Sequence, residues 1–119
     1  MIDDSAFQGT KRKFVVEITS PGFDMGRDEF EVALTRGTIQ KVFNKSDMIV
    51  ENYTVIEDGH EVQKQSYYLC FDTRDFGNGV IVATIVAYVP DSDYTDGIRT
   101  EVDEFDLLNV KNTKYKKKD

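Results

Sequence analysis

The loop Asp91-Ser92-Asp93-Tyr94-Thr95-Asp96-Gly97 carries the side chains best suited to chemistry in this chain. Hard cations such as calcium take several carboxylate and carbonyl oxygens from a flexible loop, which makes Asp91, Asp93 and Asp96 the candidate ligands. The spacing departs from the standard calcium loop: the sixth position needs Gly and here is Asp96, and the twelfth needs Glu and here is Val102. A solvated loop shaped by Asp and Gly explains the same residues, and no metal is expected. The single histidine, His60, adjoins the Asp58-Gly59 turn, where a base has little to orient it, and the single cysteine, Cys70, lies in an apolar aromatic stretch and reads as a small buried hydrophobe. Asp75-Phe76-Gly77 copies the metal-binding tripeptide of kinases, but the Gly-rich loop, strand lysine and catalytic loop that a kinase also needs are missing. Carboxylates are plentiful enough to pair for glycoside hydrolysis, as on any acidic surface. Tyr53, Tyr67, Tyr68, Tyr88 and Tyr94 suit a sugar platform or, more commonly, packing within a sheet or at an interface. We therefore expect no catalytic residue and no cofactor.

Composition narrows the classes further. At 119 residues the chain fits one domain able to bury one core, and a single cysteine means no internal disulfide. The net charge of -7 argues against a nucleic-acid binder. Lys111, Lys114, Lys116, Lys117 and Lys118 crowd the C-terminus, leaving the body before them still more acidic. This lysine-rich tail, 111–119, is expected to be disordered, and residues 1–12 to form a flexible arm before a domain spanning 13–110. Met1 to Lys13 lacks the 7–15 apolar residues, roughly, of a signal peptide. The run Val80 to Val89 is about half the ~20 residues of a membrane-crossing helix. Neither secretion nor membrane insertion is expected, which places the chain in the cytoplasm of the producing cell, from which it could leave inside a particle.

The elements that must position these residues are strands. Phe14, Val16 and Ile18 alternate with more polar neighbours, as do Phe30, Val32 and Leu34, and alternation is the signature of a pleated strand with one buried face. Arg36-Gly37 reads as a tight turn into a strand ending near Asn44, with a bulge near Lys41-Val42 to reconcile its irregular pattern. Met48 to Ile56 and Val62 to Tyr68 flank the Asp58-Gly59 hairpin signal. A short helical turn is predicted near 73–77, capped by Asp72 or Thr73 and stopped by Gly77. The last strand starts at Ile98 and bends or ends near Glu104, where the apolar parity changes. The pattern predicts an all-β antiparallel sandwich of about seven to nine strands.

Within that sandwich Val80 to Val89 is apolar on both faces. A domain's own second sheet covers only the inner face, so the outer one needs a loop, a terminal segment or another subunit. Val80, Val82, Val86 and Tyr88 are accordingly the candidate interface residues, with a second copy or another protein as partner.

Several stretches resemble small phage and prophage proteins of gut Bacteroidales: Val42-Phe43-Asn44-Lys45-Ser46-Asp47, Tyr68-Leu69-Cys70-Phe71-Asp72-Thr73, Phe76-Gly77-Asn78-Gly79, Ala87-Tyr88-Val89-Pro90-Asp91 and Arg99-Thr100-Glu101-Val102. The architecture is also similar to the N-terminal β-sandwich of phage baseplate upper proteins. The resemblance implies an immunoglobulin-like module attached to tail, baseplate or head fibre, non-enzymatic and oligomeric, and it transfers no functional residue. It makes a structural or assembly role in a virion the leading expectation. The alternative is a module that binds a glycan or receptor through surface aromatics and the 91–97 loop.

Overall fold

The computed structural model describes residues 5–112. The chain forms eight strands: β1 (Ser5–Phe7), β2 (Lys11–Val16), β3 (Phe30–Arg36), β4 (Ile39–Asn44), β5 (Ile49–Glu57), β6 (His60–Asp72), β7 (Gly79–Pro90) and β8 (Ile98–Lys111). Single 3-10 turns, Lys45–Asp47 and Thr73–Asp75, link β4 to β5 and β6 to β7. No helix among the described residues is long and apolar enough to cross a membrane.

The strands make two sheets, ordered β1-β8-β7-β3-β4 and β2-β6-β5. This is an all-β sandwich with immunoglobulin-like strand order, in which one sheet is built from the second, fifth and sixth strands and the other from the remainder. One pair departs from the antiparallel expectation: β1 runs parallel to β8, pairing Ser5 with Asn109 and Phe7 with Lys111. This pairing and that of β2 with β6 correct the flexible arm. Residues 5–7 and 11–12 belong to strands, and Ala6 is buried. Residues 1–4 and most of the lysine tail, including Lys114, Lys116, Lys117 and Lys118, lie outside the described residues. Lys111 itself ends β8.

Alternation places the core as expected along β3, where Phe30, Val32 and Leu34 are buried. Ile81 and Ala83 of β7 extend the same inner sheet face, and Tyr67, Leu69 and Phe71 of β6 meet it from the opposing sheet. Aromatic rings fasten the two layers: Phe30 meets Tyr67 edge-on at 5.7 Å, and Phe71 meets Phe76 edge-on at 5.7 Å. Such pairs add to plain burial because ring edges are positive and faces negative. Alternation also turns Cys70 outward, so the cysteine is exposed rather than buried.

The bulge sits elsewhere than the sequence suggested. β4 pairs with β3 in unbroken register from Asn44 to Ile39. Ile39 and Phe43 share the inward face, and Val42 simply points out. The extra residue is Leu107, because Ile81 pairs with Leu108 and Val82 with Asp106. This one-residue slip is the parity change seen near Glu104, and β8 runs through it to Lys111 instead of ending.

The predicted turn after β6 forms with Asp72 as its cap, its carboxylate accepting from the Arg74 N–H at 2.9 Å. Gly77 and Gly79 have φ of +74° and +119°, backbone that glycine alone adopts without strain, and the Arg36 side chain lies across both while its Nε donates to the Phe76 carbonyl.

Candidate interaction surfaces

The acidic loop does not gather its carboxylates. Asp91 Oδ2 is held by Arg99 Nη1 at 2.7 Å, and its Oδ1 accepts from the Asp93 N–H at 2.9 Å. Asp96 Oδ1 accepts from the Ile98 N–H. Arg99 also donates to Glu101 and to the Pro21 carbonyl, so it ties the loop after β7 to the loop after β2. Asp91, Asp93 and Asp96 shape a closed turn, and no group of three His, Cys, Asp or Glu among the described residues is arranged to hold a metal ion. His60 and Cys70 lie ten residues apart on one strand, about 33 Å at the rise of an extended chain, and cannot act together.

Several of these carboxylates titrate low. Hydrogen bonds from the Arg74 side chain, then from its backbone N–H, bring Asp72 down to about 2. Asp91 is lowered by the Asp93 N–H and by Arg99, and Glu101 by Ser20 and Arg99. Arg27 and the Asp24 N–H lower Asp28. A depressed folded-state value means stability that is complete above the ordinary carboxylate range and lost as pH falls through the folded value. Urea midpoints should therefore hold steady above about pH 5 and fall from about pH 4 towards pH 2. In Asp72→Asn the lower part of that fall should flatten. An unchanged acid profile in the variant would show that Asp72 contributes nothing to it.

Two sheet faces remain as surfaces for contact. The first is the outer face of the larger sheet, which carries all four predicted interface residues. Val80, Val82, Val86 and Tyr88 are half-buried there by neighbouring strands. Polar partners interrupt it: Tyr88 donates its hydroxyl to Glu31 Oε1 at 2.7 Å, and Thr84 donates to Glu104 Oε2 at 2.8 Å. The hydrogen bond to Glu31, with burial second, raises the Tyr88 phenol above its ordinary value. Val42 and Val102, 51% and 62% exposed, leave the face open on either side of β7.

The second surface was not singled out from the sequence. β2 pairs only with residues 67–72 of β6, whereas β5 pairs with residues 60–68. From Glu51 to Ser66 the smaller sheet is thus a two-stranded ribbon that extends past its third strand. It closes at Asp58-Gly59, both with positive φ, as the sequence signal required. The radius of gyration, 17.3 Å, exceeds the about 13 Å expected for this length. A lone two-stranded ribbon is marginal in water, because each strand has one neighbour and little to bury. This one nevertheless exposes Tyr53 and Ile56, the latter at 67%, and Ile49 and Val50 continue the exposed edge at its base, where β2 begins to cover β6. Lys13 reaches over the Tyr68 ring to Glu51 at 2.8 Å, and Lys64 meets Glu57 at 3.0 Å, so the ribbon's charges are largely paired on its own outer face. The sequence clue was present in Met48–Ile56, where apolar residues fall on both parities beside an Asp-Gly turn. What the sequence lacks is the point at which β2 stops.

The tyrosines do not assemble into one platform. Tyr67 is in the core, Tyr88 is on the larger sheet, Tyr53 and Tyr68 are on the smaller one, and Tyr94 is in the 91–97 loop. Comparisons with protein-family models, with curated proteins and with solved structures return no match to this chain.

Proposed function

We propose that this chain is a non-enzymatic structural or assembly component of a phage or prophage particle, in tail, baseplate or head fibre, acting by protein–protein contact through its sheet surfaces. The observation that carries the contact reading is the β5–β6 ribbon, a thin two-stranded extension with aliphatic and aromatic side chains exposed. Burying them against a partner would return about 25 cal/mol per Å² of apolar area and would supply the layer that the ribbon lacks. The outer face of the larger sheet, with Val82 and Val86 beside Val42 and Val102, offers a further area of the same kind. The particle setting rests on the sequence resemblance. The separated tyrosines and the closed 91–97 loop lend no comparable support to a glycan or receptor platform.

Particles purified on a density gradient from producing cells are expected to contain the chain in fixed proportion to the other particle subunits, measured by quantitative mass spectrometry. A chain that stays entirely in the particle-free fraction would overturn the assignment.

A further inference from the structure

We propose that two copies of this chain join along the free edge of β5, antiparallel and centred on Tyr53, so that two three-stranded sheets become one of six strands. The inference deepens the contact reading above and rests on it.

A sheet edge offers unpaired N–H and C=O groups to any other strand, and soluble proteins blunt their edges with short strands, lysines, prolines or bulges. Among the described residues the strands at the ends of the two sheets are β1, β4, β2 and β5. Two further stretches lack a neighbour on one side: β8 before Asn109, which carries Arg99 and the bulge at Leu107, and β6 before Tyr67, which carries Lys64. β1 is three residues long. β2 opens with Lys11-Arg12-Lys13, and β4 is six residues with Lys41 at its middle. β5 is different: nine residues, Ile-Val-Glu-Asn-Tyr-Thr-Val-Ile-Glu, with no lysine, arginine or proline and no break in register. Among these edges it is the one with neither a basic residue, a proline nor a bulge, and longer than three residues.

The same strand is self-complementary, which is what a two-fold contact requires. The two-residue turn makes Glu57 and His60 a hydrogen-bonded pair, so odd-numbered residues of β5 bond to β6. Val50, Asn52, Thr54 and Ile56 then direct their backbone groups outward. In the register centred on Tyr53, Val50 meets Ile56 of the second copy and Asn52 meets Thr54: apolar on apolar, amide on hydroxyl. About eight main-chain hydrogen bonds form. Like charges exclude the adjacent registers. A shift one way sets Glu51 against Glu57, and a shift the other way sets Asp47 against Glu57. Only the register centred on Tyr53 keeps carboxylates apart while matching the polarity pattern.

The test uses the full chain. Light scattering after size exclusion should show a dimer, and Asn52→Pro should raise its dissociation constant at least about 30-fold, because the lost N–H occurs twice at the interface and plays no part in the β5–β6 ladder. Ile56→Lys keeps that N–H and should weaken the dimer similarly, which covers the case where proline harms the ribbon. In a Cys70→Ser background, Tyr53→Cys should form a disulfide-linked dimer under mild oxidation, since residues facing across a two-fold non-bonded site have Cα atoms about 4.5 Å apart. Val50→Cys, opposite Ile56 instead of itself, should not. A wild-type chain that is monomeric at all concentrations, a dimer indifferent to Asn52→Pro and Ile56→Lys, or equal crosslinking at 50 and 53 would each overturn the edge pairing. Particle fractionation decides the broader reading independently: a chain present in particles but uncrosslinked at 53 keeps that reading and loses this one.

Discussion

Phe76→Ala should lower the unfolding free energy by about 3–5 kcal/mol, the cost of removing a fully buried aromatic ring and leaving a partly collapsed cavity. Phe76 has no exposed surface. Its ring meets Phe71 edge-on, Phe71 in turn stacks on Phe14 at 5.8 Å, and the three rings join β6, β2 and the turn before β7. Alanine would cut this chain of contacts at its innermost member. Domains of this size have about 5–15 kcal/mol to lose, so the variant should remain folded only marginally, with a urea midpoint lowered by about 2 M. The control is Phe105→Ala on β8. That residue is 40% exposed, and its replacement should change stability by about 0.5 kcal/mol or less. Equal midpoints for the two variants would remove Phe76 from the core.

The second large effect is expected at a polar residue. Thr73 is buried with no exposed surface, and its hydroxyl is fully used. It accepts from the N–H groups of Gly9 and Thr10 at 2.9 and 3.0 Å and donates to the Thr10 carbonyl at 3.0 Å. The Thr73 N–H donates to the same Thr10 carbonyl at 2.9 Å. One side chain thus anchors the β1–β2 turn to the turn after β6, more than sixty residues away in sequence. Thr73→Val keeps the shape, strands the Gly9 N–H, leaves the Thr10 N–H only its longer bond to the Phe7 carbonyl at 3.3 Å, and should cost about 2 kcal/mol. Thr73→Ser retains the hydroxyl and should cost about 1 kcal/mol or less. Hydrogen exchange at Gly9 and Thr10 is the sharper readout, expected to accelerate in the valine variant and not in the serine one. If valine and serine behave alike, the hydroxyl network is not what holds the turn.

Alternation and turn chemistry carried much of this fold into the sequence. Phe30, Val32 and Leu34 declared their buried face because one side of β3 is wet only in part and the other is dry. Asp58-Gly59 declared its hairpin because left-handed backbone at both positions is costly for other residues. The failures share a cause. Leu107 supplies the bulge, but nothing local distinguishes it from Lys41-Val42; only the pairing with β7 does. Ala6 is buried solely because β1 lies against β8, a contact over a hundred residues long in sequence. Cys70 shares the parity of Tyr68 rather than that of Leu69 and Phe71, and that alternation outweighs its apolar neighbours. Of the surfaces, the outer face of β7 was legible from its composition. The ribbon was not, since its exposure depends on where another strand ends.

The parallel seating of β1 on β8 has a mechanical meaning. The N-terminal end of β1 and the C-terminal end of β8 point in opposite directions along one ladder, closed by Ser5–Asn109, Ala6–Val110 and Phe7–Lys111 and extended by the Gln8 N–H on the Lys111 carbonyl. A pull applied at Ser5 and Lys111 drags the two strands past each other lengthwise, so the bonds share the load at once instead of opening one by one from an end. Traction through the backbone would meet its stiffest resistance where the described chain begins and finishes.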